Sequence, residues 1–136
     1  MHACSTAQCP DEHSTQRRSK ERNDAMLLAG IDIGTTSVKG ILIDDSGGIL
    51  GQASREHDLI SMYAGWAEED PEVWWQETID VLRELSFLAK SQGQGISAIA
   101  VSGMVPALVL IDSEGRPVRR SIQQNDARAH EEISWL

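Results

Sequence analysis

Gly30-Ile31-Asp32-Ile33-Gly34-Thr35-Thr36-Ser37-Val38-Lys39 is the stretch from which the rest of the chain is read. It begins inside the apolar run 27–33, which has the composition of a buried strand. Gly34-Thr35-Thr36-Ser37 then reads as a tight turn, and 38–43 is a second apolar run. Asp32 closes the first strand and points at the turn. A carboxylate there can hold Mg²⁺ directly or through water, because magnesium takes oxygen ligands and keeps several waters. Gly34 lets the backbone approach a ligand with no Cβ in the way. Thr35, Thr36 and Ser37 bring three hydroxyls and successive N–H groups that can wrap phosphate oxygens. Lys39 adds a positive charge. Phosphoryl transfer needs positioning and charge neutralisation above all, and this inventory supplies both. Gly-Thr-Thr alone is ordinary hairpin chemistry. The whole stretch, with an apolar strand on each side and Asp44 ending the second, points to a phosphate-binding turn.

Outward from the turn, Asp44-Asp45-Ser46-Gly47-Gly48 is a second turn and 49–57 a more polar third strand. Strands joined by such short turns form an antiparallel meander, because parallel strands need a long crossover. The period then changes. Asp70 is placed to cap a helix, with Pro71 at its first position and Glu72 in its first turn. Trp74, Thr78, Val81, Leu82, Leu85, Leu88 and Ala89 recur at helical steps. The helix is expected to end near Gln92, with Gly93 and Gly95 as stop signals. The composition of 96–101 predicts a strand buried on both faces. Another strand is expected at 107–112, followed by a turn at Ser113-Glu114-Gly115, a returning strand within 118–123 and the start of a helix over 126–136. Three strands, a helix and a strand give an α/β fold, a mixed sheet with flanking helices. That order fits a ribonuclease-H-like, actin-like ATPase fold. A Rossmann domain would place a helix directly after the first strand.

The chain has 136 residues and a formal net charge of −9, which disfavours binding to nucleic acid or to an anionic membrane. The longest apolar run, 96–111, is interrupted by Ser97, Ser102, Gly103 and Pro106 and falls short of the roughly 18 clean residues of a spanning helix. Both cysteines, Cys4 and Cys9, lie near the start, and no apolar leader precedes them, so a reducing, cytoplasmic location is expected. Residues 1–25 are polar and nearly free of aliphatics, as in a disordered tail, and Met26 offers an alternative translation start. The tail holds His2, Cys4, Cys9 and His13, but at no common zinc-finger spacing, and these are read as incidental. Residues 26–136 form the domain.

The quoted stretch resembles the first phosphate loop of the FGGY carbohydrate kinases, a family that includes xylulokinase, gluconate kinase and glycerol kinase. Four more segments continue in step: Gly65-Trp66-Ala67-Glu68-Glu69-Asp70-Pro71-Glu72-Val73-Trp74-Trp75, Ala98-Ile99-Ala100-Val101-Ser102-Gly103, Leu108-Val109-Leu110-Ile111-Asp112 with Gly115-Arg116-Pro117, and Asn125-Asp126-Ala127-Arg128-Ala129. The resemblance runs from about Leu27 to the end. It implies an N-terminal, truncated portion of a xylulokinase-like enzyme that transfers a phosphoryl group from ATP, with Mg²⁺, to a hydroxyl of a sugar or polyol. Asp32, Gly34, Thr35, Thr36, Ser37 and Lys39 would belong to the nucleotide site, and Asp32 to the metal. The family's catalytic base lies well beyond residue 136, so the chain alone is expected to be inactive. A homodimer is left open for the full-length protein. Two alternatives stand beside this: another actin-like ATPase, and a non-catalytic nucleotide- or sugar-binding remnant.

By the same resemblance, Met104, Val105 and Pro106 sit at the sugar. Xylulokinase-like members usually carry Gln-Met-His there, so this chain lacks the imidazole donor to a sugar hydroxyl. It also lacks the Arg-Glu pair of glycerol kinase, and both departures argue for a different choice among sugars and polyols. Asp126 and Arg128 are the polar groups placed near the sugar, with Arg128 orienting the carboxylate. The other reading makes Asp126 the cap of the next helix, with Arg128 in solvent. Gln123 and Gln124 stand where an apolar residue and Trp are usual. Trp74 is expected in the core, and Trp66 either anchors its loop or flanks the sugar entrance. His57 and His130 are read as surface residues.

Overall fold

A computed structural model describes residues 26–135. Strands β1 (Leu27–Ile33), β2 (Ser37–Asp44) and β3 (Ile49–Glu56) form the expected antiparallel meander. The two-residue strand β4 (Glu68–Glu69) leads into helix α1 (Pro71–Ser91). The chain then returns as β5 (Ile96–Gly103), parallel to β1, which gives the sheet order β3-β2-β1-β5. A second, two-stranded sheet pairs β4 with β6 (Ser121–Ile122), and a short helix α2 (His130–Ile133) follows. The expectations for residues 1–25, a disordered tail with incidental His2, Cys4, Cys9 and His13, lie outside the described residues.

The boundaries of α1 follow from local chemistry. Asp70 accepts the Glu72 N–H at 3.0 Å, Pro71 fills the first turn, and the chain leaves the helix at Gln92 and at Gly93, whose φ of 76° suits glycine. Its stripe buries Trp74, Thr78, Val81, Leu85 and Ala89. Val81, Leu85 and Ala89 pack on Leu27, Ala29, Ile31, Val38, Leu42 and Ala53, one face of the meander. Each fully buried aliphatic side chain contributes about 1.5–3 kcal/mol. The helix comes close because Gly40 has no side chain: a Cβ there would lie 2.3 Å from Val81 Cγ1 and 2.9 Å from Leu85 Cδ1.

The opposite face of the sheet is uncovered among the described residues. Gly30 and Asp32, Lys39 and Ile41, Gln52 and Ser54, and Ala100 and Ser102 line a concavity of about 820 Å³ on it. Among the described residues no helix is long and apolar enough to cross a membrane.

Four expectations change. Strand β5 is not buried on both faces, because it is the sheet edge and α1 lies over β1, β2 and β3 instead. Its Val101 is 63% exposed. The stretch 107–112 forms no strand and makes only isolated bridges, Leu108 with Ile122 and Ile111 with Pro117. Proline on either side of it, Pro106 and Pro117, withholds N–H groups that a regular ladder would use. Asp112 instead gathers the N–H groups of Glu114 and Arg116 into the Ser113-Glu114-Gly115 turn. The returning strand shrinks to Ser121–Ile122 and pairs with β4. The last helix covers only His130–Ile133, since Asp126 is engaged elsewhere and no side chain caps it.

A methyl group at Gly40 should therefore force α1 off the sheet. Gly40→Ala is expected to destabilise the chain by about 1–3 kcal/mol, read from the midpoint of urea unfolding. An unchanged midpoint would contradict the close approach.

Candidate functional site

The turn 34–36 leaves the carboxyl end of β1, and the segment 104–106 leaves the carboxyl end of β5. Because the two strands run parallel, with Ile33 opposite Gly103, both exits lie side by side. Met104 N–H donates to Ile33 O at 3.0 Å and ties them together. Ligands of open α/β sheets bind in crevices just outside such carboxyl ends.

At this end of the open face, Ser54, Lys39, Asp32 and Ser102 form one row across the four strands. Ser102 Oγ donates to Asp32 Oδ1 at 2.6 Å and fixes that carboxylate. Lys39 lies directly opposite Asp32 but makes no ion pair among the described residues. Gly34 N–H donates to Ser37 O at 3.0 Å and closes the turn. A Cβ on Gly34 would meet Ser37 O at 3.2 Å, so glycine keeps the turn tight. The hydroxyls of Thr35 and Thr36 have no partner among the described residues. No group of three or more His, Cys, Asp or Glu residues is arranged as a metal cage among them. Asp32, held by Ser102, is the one carboxylate of this row that could take a Mg²⁺ ion, since magnesium is commonly bound through one or two carboxylates.

His57 departs from its reading as a surface residue. The Ser37–Glu56 pair ends the β2–β3 ladder and carries the next residue in beside the turn, so the ring is 5% exposed. Its N–H donates to Thr36 O at 3.0 Å. Its Nε2 lies 3.2 Å from Gly34 O, and its Nδ1 lies 2.6 Å from Glu77 Oε2. Glu69 Oε2 stands 3.5 Å from Nε2 and accepts the Trp74 indole N–H at 2.8 Å. Trp74 is thus a core residue, as expected, with its polar atom spent on Glu69. Burial pushes the Glu69 carboxyl up from the ordinary range, against the lowering effects of Trp74 and His57. Its Oε1 has no partner among the described residues. Sequence reading missed His57, although the meander register was enough to place position 57 beside the turn. His130 is exposed, as expected.

Asp126 and Arg128 form a second cluster. Asp126 Oδ1 accepts the Arg128 backbone N–H at 3.0 Å and Nε–H at 2.8 Å. Its Oδ2 accepts Ala67 N–H at 2.7 Å and an Arg128 guanidinium N–H at 2.6 Å. The bidentate pair is as expected, but the carboxylate is 2% exposed and each oxygen already accepts two hydrogen bonds. Asp126 does not cap α2, whose N-cap is Ala129, and Arg128 is not in solvent. The guanidinium reaches Glu68 at 3.0 Å and covers the Trp66 ring at 3.8 Å from its centroid. Arg119 also pairs with Glu68, and Tyr63 meets Trp66 edge-on. Trp66 is thus held in the loop, under Arg128. Gln123 belongs to the same assembly: its N–H donates to Ala67 O and its amide to Ser121. Among the described residues no hydrogen bond or ion pair joins Asp126 or Arg128 to 104–106, where Val105 is 82% exposed.

The FGGY family of carbohydrate kinases, N-terminal domain, matches residues 27–136. The chain belongs to this family. It is 39% identical over 101 residues to the xylulose kinase of Bacillus subtilis, covering 74% of this chain and 20% of that protein. It is 35% identical over 113 residues to the glycerol kinase of Beutenbergia cavernae, covering 82% of this chain and 22% of that one. Among solved structures, the xylulose kinase of Rhodospirillum rubrum superposes with a TM-score of 0.75 at 42% identity, covering 80% of this chain and 22% of that one. The mixed sheet with its helices is thus part of the actin-like ATPase fold of these sugar kinases. The chain spans about a fifth of the length of the curated relatives it matches.

The Arg128 hydrogen bonds, foremost, hold the Asp126 carboxyl below the usual carboxylate range. A depressed native value gives stability that is present above the unfolded value and lost as pH falls. Melting temperature should therefore drop as pH is taken below about 4, and Asp126→Asn should flatten that acid limb while lowering stability at neutral pH. Equal acid limbs in the two proteins would refute the pairing.

Proposed function

We propose that these residues are the donor-side part of an ATP-dependent sugar or polyol kinase. The observation that carries this reading is the shared exit of the Gly34-Thr35-Thr36 turn and the Met104-Val105-Pro106 segment from adjacent parallel strands, tied by Met104 N–H on Ile33 O. One side has the chemistry of a phosphate cradle, and the other is where a hydroxyl acceptor would approach it. Gly34, Thr35, Thr36 and Ser37 hold phosphate oxygens through N–H groups and hydroxyls. Lys39 supplies the positive charge that an acidic chain otherwise lacks. Asp32, fixed by Ser102, holds Mg²⁺, which when bound neutralises phosphate charge.

Met104, Val105 and Pro106 face the sugar and select it by shape. They replace the Gln-Met-His usual in xylulokinase-like members, so the preferred substrate differs from D-xylulose and from glycerol. Asp126 and Arg128 serve this side by holding the 65–67 loop and Trp66, since the carboxylate has no acceptor position left for a hydroxyl. The hydroxyl proton is taken by an Asp base contributed by chain beyond residue 136. The protein works in the cytoplasm on a small molecule, without nucleic acid or membrane.

In the whole enzyme, Thr35→Val combined with Thr36→Val should raise the KM for ATP about tenfold or more, with the sugar KM little changed; each lost hydrogen bond to a charged group is worth about 1.5–3 kcal/mol. Unaltered ATP kinetics would remove the phosphate-turn assignment. The 136-residue chain by itself is expected to give no ATP-dependent phosphorylation across a panel of ketoses and polyols. Product formation by the purified chain would show that it contains its own base.

A further inference from the structure

The strand that flanks the phosphate turn also grips it. His57, the residue after β3, binds two carbonyls of the turn: Thr36 O through its backbone N–H and Gly34 O through Nε2. Among the described residues the Val105-Pro106 bond is the only cis peptide, so every bond of the turn is trans. In a trans peptide the C=O and the next N–H point in opposite directions. Drawing the Gly34 and Thr36 carbonyls toward His57 therefore turns the Thr35 and Ser37 N–H groups the other way. N–H groups turned away from His57 in this way are free to meet an anion.

The ring's own contacts define its state. A carbonyl can only accept, so Nε2 carries a proton. The 2.6 Å contact of Nδ1 with Glu77 Oε2 places a second proton between ring and carboxylate. Glu77 comes from α1, and Glu69, at 3.5 Å from Nε2, comes from β4. Nε2 thus donates to Gly34 O while Nδ1 shares its proton with Glu77.

We propose that His57 is a positioning residue for phosphate binding: hydrogen-bonded to Glu77, it holds the turn so that Thr35 and Ser37 N–H groups face the phosphoryl oxygens. This rests on the phosphate reading of the turn and extends it to a residue that touches no ligand. It also makes Glu77 the link through which α1 sets the turn.

The test is NMR of the 136-residue chain with Mg²⁺–tripolyphosphate as probe. The expected result has three parts. A proton sits on Nε2 of His57. The Thr35 and Ser37 amide resonances move in His57→Leu while those of the Val81–Leu42 core stay. The probe binds His57→Leu about tenfold more weakly, with His57→Gln, which keeps a side-chain donor, recovering most of the loss. Should His57→Leu unfold, Glu77→Leu replaces it, because it leaves the ring but removes the hydrogen-bond partner of Nδ1, and the same weakening is expected. A ring whose Nε2 carries no proton overturns the proposal. So does equal probe affinity in the wild type and a folded variant, and in that case the phosphate reading survives. If the probe shifts no resonance of 34–37 even in the wild type, the phosphate reading itself falls and this role of His57 falls with it.

Discussion

Strand β1 is paired antiparallel to β2 on one edge and parallel to β5 on the other, and the rest of the structure depends on that double pairing. An antiparallel neighbour can follow after a short turn, so the end of β1 becomes the Gly34-Thr35-Thr36 hairpin. A parallel neighbour requires the chain to cross the sheet first, and α1 is that crossover. The same strand end therefore gathers two exits that are about seventy residues apart in sequence, as the 70-residue spacing of the Asp32–Ser102 hydrogen bond records. The crossing helix must lie close for this to hold, and Gly40 under Val81 and Leu85 gives it the room.

The two polar clusters do different work around this frame. Asp126, Arg128, Glu68 and Arg119 are buried or half-buried charges that neutralise one another, and they fasten β4 and β6 to the segments that flank them. Their saturation leaves them little to offer a ligand. Breaking such a group would strand a buried charge, which is why its members read as scaffold. Around the turn the situation is reversed. Lys39 and the Thr35 and Thr36 hydroxyls remain without partners among the described residues, while the carbonyls of Gly34 and Thr36 are satisfied from behind by His57. In a chain of net charge −9, an anion would be held only where donors are left over locally, and the proposed phosphate turn has such donors.

The alternation of apolar residues in β1 and β2, the Asp70-Pro71 cap, the helical stripe of Trp74, Val81 and Leu85, and the glycines after Gln92 are local signals. Each was legible because hydrogen bonding and side-chain period within a few residues decide it. The family resemblance was legible for the same reason, as contiguous residues. Most of what failed depended on a distant neighbour. The composition of 96–103 says strand but not edge, since exposure is set by what α1 covers. The 107–112 run is apolar enough for a strand, yet Pro106 and Pro117 and the Asp112 turn break its ladder. Asp126 does not cap the last helix as one reading had it, because it is engaged by Arg128 and by Ala67, whose N–H lies 59 positions away.

By itself the sequence determined the meander, the crossover helix and the residues of the turn, because these follow from periodicity, capping and residue type along neighbouring positions. Only the tertiary structure decided that His57 enters the interior to hold Gly34 and Thr36, that Glu69 is buried beside it, and that the turn meets the 104–106 segment. Those outcomes need residues far apart in the chain to be packed together, and the energy of a buried charge or an aimed carbonyl depends on which groups surround it in space.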